Sequence, residues 1–190
     1  MNMTTLKQGR KILGMLEGTP AEQAQKLLRG GYFSDLLKAN TEQMNRADFQ
    51  KICGLVRIID CDADPFVPSG FTLMSHRKGG QIIWDPRKAE LYLSKGQKNG
   101  KVISGNDLDK ELANVSGILN ANVLDYLLAH QELIPKEWEG KFVYFWGTEY
   151  LSVGTSYVRY LRRGGGRWYS YSYWLGYGWD GDSPAARFAS

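Results

Sequence analysis

Apolar positions along this chain change their spacing near Gly54. Before that point the chain reads as a series of short helices. Leu6, Ile12, Leu13 and Leu16 supply a first helix, capped by Thr4 or Thr5 and weakened by Gly9 and Gly14. A second begins more plainly. Thr19 caps it, Pro20 takes the first helical position and Glu22 completes a capping box. Ala24, Leu27 and Leu28 form its inner face, and Gly30-Gly31 stop it. Asp35 to Ala39 follow, then a segment from near Asn45 to Gly54 with Phe49 and Ile52 turned inward. Helices this short must pack on something. The pattern predicts a helical N-terminal subdomain, 1–54, docked on a core domain, 55–190.

Beyond Gly54 the runs become short, β-branched and bounded by turn residues. LVRIIDC reads as a strand, and PFVPSG as a loop because its two prolines lack backbone donors. FTLMSH and QIIWD flank Lys78-Gly79-Gly80 and predict a hairpin. Asp85-Pro86 ends the second of these strands, and ELYLS is another. Asn99-Gly100 marks a turn, with Val102-Ile103 as a strand beyond it. Asn106 caps a short helix, DLDKELAN, that carries Leu108 and Leu112 on one side. Asn120 or Asn122 caps VLDYLLAHQEL, whose Val123, Leu124, Leu127 and Leu128 form the most amphipathic stripe of the chain; Pro135 ends it.

The last third, Lys141 to Trp179, concentrates the aromatic residues: five of the six tryptophans lie between Trp138 and Trp179. KFVYFWGTEYL, SYVRYLRR and RWYSYSYW predict three antiparallel strands, the last two joined at Gly164-Gly165-Gly166. The fold class is therefore α+β: an antiparallel sheet ending in an aromatic meander, packed on the amphipathic helix. A three-glycine turn places Tyr157 opposite Tyr173, Arg159 opposite Tyr171, Leu161 opposite Tyr169, and Arg163 opposite Arg167. One face then holds these Arg and Tyr residues. The other holds Val158, Tyr160, Arg162, Trp168, Ser170, Ser172 and Trp174, and is the better candidate for burial. A one-residue shift of the turn is expected to change the partners and keep the faces.

Composition narrows the function classes. The chain has 190 residues, 43% hydrophobic and 23% charged, which is ordinary for a globular protein. A net charge of +4 is modest, but Arg77 to Lys101 and Arg159 to Arg167 are both locally basic, which suits an anionic partner. Cys53 and Cys61 sit in apolar surroundings and read as buried, unreactive thiols. No apolar run is long enough to span a bilayer, so a soluble cytoplasmic protein without membrane partners is expected.

Stacked tyrosines with interleaved arginines suit flat anionic ligands, since rings take bases and guanidinium forks take phosphates. The candidate ligand residues are Tyr157, Arg159, Arg163, Arg167, Tyr169, Tyr171 and Tyr173. Asp60, Asp62 and Asp64 alternate at a strand end and could hold a divalent cation. Yet Pro65 occupies the position an EF-hand loop gives to glycine, and Asp62-Ala63-Asp64-Pro65 is also plain turn chemistry. His130 suits a helix C-terminus; His76 stands beside Arg77 and Lys78, where an anionic substrate could lie. Gly176 to Gly181 matches GxGxxG in letters but follows an antiparallel hairpin and precedes no helix that could receive a pyrophosphate. No Walker A, GxSxG, HExxH or CxxC pattern occurs, and no cofactor is expected.

Taken together, VRIIDCDADPFVP, QIIWDPRKAELYLSKGQK, LNANVLDYLLAHQELIPKEWEGKFVYFWGT and GWDGDSPAARFAS resemble a recurring family of bacterial hypothetical proteins without an assigned activity. The resemblance implies a bacterial or mobile-element origin and carries over no catalytic residue. Three functional classes follow from the residues. The first is a non-enzymatic binder of nucleic acid or a nucleotide through the Arg/Tyr face. A protein-interaction module on the same aromatic surface is the second, and a metal-dependent enzyme on the aspartate cluster the third.

Overall fold

A computed structural model describes residues 57–188, so the helices expected before Gly54, and Cys53, lie outside the described residues. Almost all described residues belong to the second of two compact units into which the chain divides, Ile59–Ser190. The unit is α+β, and its organising strand is the long β6, Val143–Ser152. On one side β6 pairs with β7, Thr155–Gly164, which in turn pairs with β8, Arg167–Trp174, both antiparallel.

The other side of β6 is divided between two strands. Near its start, Tyr144 meets β10, Ala185–Phe188, in parallel, and β10 carries β4, Ala89–Tyr92, on its far edge. Near its end, Thr148 to Leu151 pair antiparallel with β2, Thr72–His76. The division falls at Gly147. Its N–H donates to Leu119 O and its carbonyl accepts from Arg77 N–H, at 3.0 and 2.7 Å, so loops fill the gap. A side chain there would sit 2.8 Å from the Asn120 backbone, which requires glycine.

Two small ladders complete the unit: β1, Ile58–Asp60, with β3, Gln81–Ile83; and β5, Ile103–Ser104, with β9, Gly178–Trp179. The expected β2–β3 hairpin is thus absent. The two strands flanking Lys78-Gly79-Gly80 part company, because β6 and β1 offer them longer-range edges. Local turn signals yield here to tertiary pairing. Likewise Val102-Ile103 does not return along β4; its strand crosses to β9.

Helices lie on both faces of the sheet. Helix α1, Gly105–Leu112, starts one residue before the expected cap: Ser104, not Asn106, accepts the Asp107 N–H. Its Leu108 and Leu112 are buried with Tyr144, Trp146, Val158 and Trp179. Helix α2, Ala121–Ala129, packs Val123, Leu124 and Leu127 against Val143, Phe145, Leu161 and Trp168. Burying such a Leu or Val contributes about 2 kcal/mol. Asn120 stands at the N-cap position without capping. Its Nδ2 donates to Cys61 O and Arg77 O, tying two loops together, and Thr148 Oγ1 accepts the Ala121 N–H instead. The helix ends at Ala129, before Pro135; a 3-10 turn, Gln131–Leu133, intervenes. Among the described residues no helix is long and apolar enough to cross a membrane.

Two features of β6 have measurable consequences. The β6–β7 turn places Val153 at φ 48°, a left-handed conformation that β-branched residues avoid, and leaves it 99% exposed. Val153→Asn should therefore raise stability by about 1 kcal/mol in urea melts. Glu149, half-buried, accepts from Ser75 Oγ and faces Asp109 of α1 and Arg77. Burial and the nearby Asp109 carboxylate push its carboxyl from an ordinary value of 4.5 up to about 7; Ser75 and Arg77 oppose this without cancelling it. The folded state therefore binds this proton more tightly than the unfolded state. The resulting stability is complete below about pH 4.5 and is lost as pH rises through about 7. Glu149→Gln should narrow the stability difference between pH 5 and pH 8 in paired urea melts; an unchanged difference would contradict this assignment.

Candidate functional site

The aromatic hairpin β7–β8 turns on two residues, not three. Gly165 and Gly166 have φ of 54° and 81°, and the ladder closes with Gly164 opposite Arg167. This two-residue turn with positive φ at both positions follows the twist of the strands it joins. Partner numbers accordingly sum to 331: Tyr157 faces Trp174, Arg159 faces Ser172, Tyr160 faces Tyr171, and Arg162 faces Tyr169. A one-residue shift does not keep the faces. It sets odd positions of one strand beside even positions of the other, so the expected Arg/Tyr face and Val/Trp face are both recombined.

One real face carries Tyr157, Arg159, Leu161 and Arg163 with Trp168, Ser170, Ser172 and Trp174. Over part of it lies α2. Arg159, expected to meet ligand, is 4% exposed and forms a bidentate pair with Asp125 of α2 at 2.9 and 2.7 Å. It also donates to Ser170 Oγ at 3.1 Å, and its guanidinium lies 5.3 Å from the Phe66 ring centroid. Burial opposes its charge, yet Asp125 more than offsets this and holds Arg159 firmly protonated. Tyr157 packs edge-on against Phe71. Arg163 pairs with Glu139.

The opposite face carries Val158, Tyr160 and Arg162 with Arg167, Tyr169, Tyr171 and Tyr173. At one end it is core, where Val158 and Tyr173 pack with Tyr144, Trp179 and α1. Towards the hairpin it is open. Tyr169 and Tyr171 are 45% and 50% exposed, and Tyr171 rests on Tyr160 at 5.7 Å between centroids. The Arg162 guanidinium lies over Phe142, 4.8 Å from the ring centroid. Arg162 and Arg167 are both exposed. Of the seven expected ligand residues, Arg167, Tyr169, Tyr171 and Tyr173 share this face, whereas Tyr157, Arg159 and Arg163 are on the other. Tyr160 and Arg162 join the site unforeseen. Reading the turn as two residues would have placed them.

The other candidate chemistries resolve into structure. Asp60 Oδ1 accepts from Asp62 N–H, and Asp62 Oδ1 from Gly80 N–H, at 2.9 and 2.8 Å, so both fasten a loop. Among the described residues no group of three His, Cys, Asp or Glu could hold a metal ion. His76 bridges Thr148 Oγ1 at 2.8 Å and Cys61 O at 3.0 Å, a core tie between β2 and β6. His130 sits at the C-cap of α2. Cys61 is buried, and desolvation with the adjacent Asp62 and Asp60 pushes its thiol up to about 11, leaving it protonated and inert. The GxGxxG segment forms β9 and a turn. No family model, curated protein or solved structure matches the chain.

Arg159 and the exposed arginines should separate cleanly by mutation. Arg159→Ala leaves Asp125 without its partner and should cost about 3 kcal/mol in urea melts. Arg162→Ala and Arg167→Ala should each stay within about 0.5 kcal/mol of the parent.

Proposed function

We propose that the open end of the tyrosine face binds an anionic ligand with flat rings, a single-stranded nucleic acid or a nucleotide, without catalysing a reaction on it. The observation that carries this reading is the exposure of Tyr169 and Tyr171 beside Arg162 and Arg167 at the hairpin end of one face. Rings of this kind accept any base by stacking, and the arginines can reach the phosphates on either side. Tyr160 behind Tyr171 and Phe142 beneath Arg162 hold the platform in place before ligand arrives, which lowers the ordering cost of binding. Bacterial origin and a cytoplasmic setting belong to the same proposal and rest on the sequence alone.

Fluorescence anisotropy with labelled oligo(dT) and oligo(U) tests it. Each base stack is worth about 1–3 kcal/mol, so Tyr169→Ala with Tyr171→Ala should weaken binding by about a hundredfold. Each arginine removed should lower the slope of log affinity against log salt by about 0.7. Affinity indifferent to salt, or retained in the tyrosine double variant, would overturn the reading.

A further inference from the structure

We propose that the free edge of β8 accepts a short extended peptide as an added strand, with an acidic residue at the peptide end nearest Arg167. The inference does not depend on the nucleic-acid reading, because strand addition rests on the backbone edge of β8, although Arg167, Tyr169 and Tyr171 border both sites.

Among the described residues, strand β8 is the last of its sheet. In an antiparallel pair, successive residues turn their N–H and C=O groups alternately toward and away from the neighbour. Gly164 and Arg167 close the hairpin, so Arg167, Tyr169, Tyr171 and Tyr173 point to β7, while Trp168, Ser170, Ser172 and Trp174 point outward. The two ends of this outward row are already occupied. At Trp168 the Gln131 side chain behaves as a peptide group: its Oε1 accepts the Trp168 N–H at 2.9 Å, and its Nε2 donates to Trp168 O at 3.1 Å. At Trp174 the carbonyl accepts from Tyr177 N–H at 3.2 Å. Between them, the outward N–H and C=O groups of Ser170 and Ser172 have no backbone partner among the described residues.

Ser170 and Ser172 line a groove of about 530 Å³ together with Phe66, Pro68, Leu128, Tyr169, Tyr171 and Arg159, whose charge Asp125 already meets. The outward groups recur at about 6.8 Å, the two-residue repeat of an extended chain. A single base would satisfy one of the two residues and strand the other; a peptide satisfies both. Apolar walls receive alternate side chains of the incoming strand, the usual division of labour in strand addition. The small Ser170 and Ser172 side chains leave room on the groove side.

Charge selects the peptide further. β8 carries no carboxylate, and Arg163 is engaged by Glu139, whereas Arg167 has no ion-pair partner among the described residues. An acidic residue beside Arg167 completes the match. A second copy fits less well. Its β8 would have to run across Trp168, where Gln131 stands in each molecule, while a segment of about five residues ends short of it.

Random heptapeptides displayed on phage and selected on the full chain supply the probe; the enriched sequence is then synthesised with a fluorophore and titrated. Binding should fall at least about tenfold in Ser172→Pro, which removes an outward N–H and no bond to β7, and should change less than about threefold in Ser172→Ala. Far-UV circular dichroism and thermal melting confirm that the proline variant is folded. Should it unfold, N-methylation along the peptide decides on the parent protein: loss at alternate amides supports strand addition, and loss at none or at all overturns it. Absence of enrichment overturns it, as does full affinity in a folded Ser172→Pro. A dimer in sedimentation that Ser172→Pro dissolves would make a second copy the occupant and overturn the peptide. Oligonucleotide affinity unchanged in Ser172→Pro keeps the two readings apart: either can fail without the other.

Discussion

The make-up of both faces of the β7–β8 hairpin depends on the number of residues in one turn. Gly165 and Gly166 take positive φ, and Gly164 is left to the strand as the last ladder partner. The twist of the two strands favours that short turn over a longer one. Its consequence spreads through eight residue pairs. It brings Trp168 and Leu161 together beneath α2, sets Arg159 where Asp125 can reach it, and gathers the tyrosines on the far side. An inserted glycine would leave each strand's alternation intact and still scramble both faces.

The Arg159–Asp125 pair shows how burial reassigns a residue that sequence alone places at a surface. An arginine between tyrosines on a strand reads as a ligand group because nothing in the local sequence supplies its counter-ion. Asp125 lies 34 positions earlier, on the polar side of a helix whose stripe is otherwise apolar. Only the docking of α2 brings them together. A buried pair of this kind is a weak source of net stability, but removing one partner is costly, so it fixes the helix in one seat.

Local features were therefore legible where local physics decides them. The amphipathic stripe of α2, the three strands of the meander, β4 and the helix around Leu108 and Leu112 all appear close to their expected places. Structure departs from expectation where a partner distant in sequence decides. β2 and β3 separate because β6 and β1 capture them. Asn120 gives up capping to hold the Cys61 and Arg77 loops, and His76 becomes a tie between strands. The tyrosine face is half legible: Arg167, Tyr169, Tyr171 and Tyr173 share one side as the alternation of β8 predicts, and the β7 residues beside them differ by one strand's parity.

The divided edge of β6 also constrains the order in which this unit can be assembled. Among the described strands, β4 enters the sheet only through β10, and β10 comes last. As the chain emerges, the apolar side chains of β4 thus wait beside an empty slot until nearly a hundred further residues have appeared. The meander can close early, from contacts between neighbours, but the β4 flank closes late, across a long loop whose entropy must be overcome first.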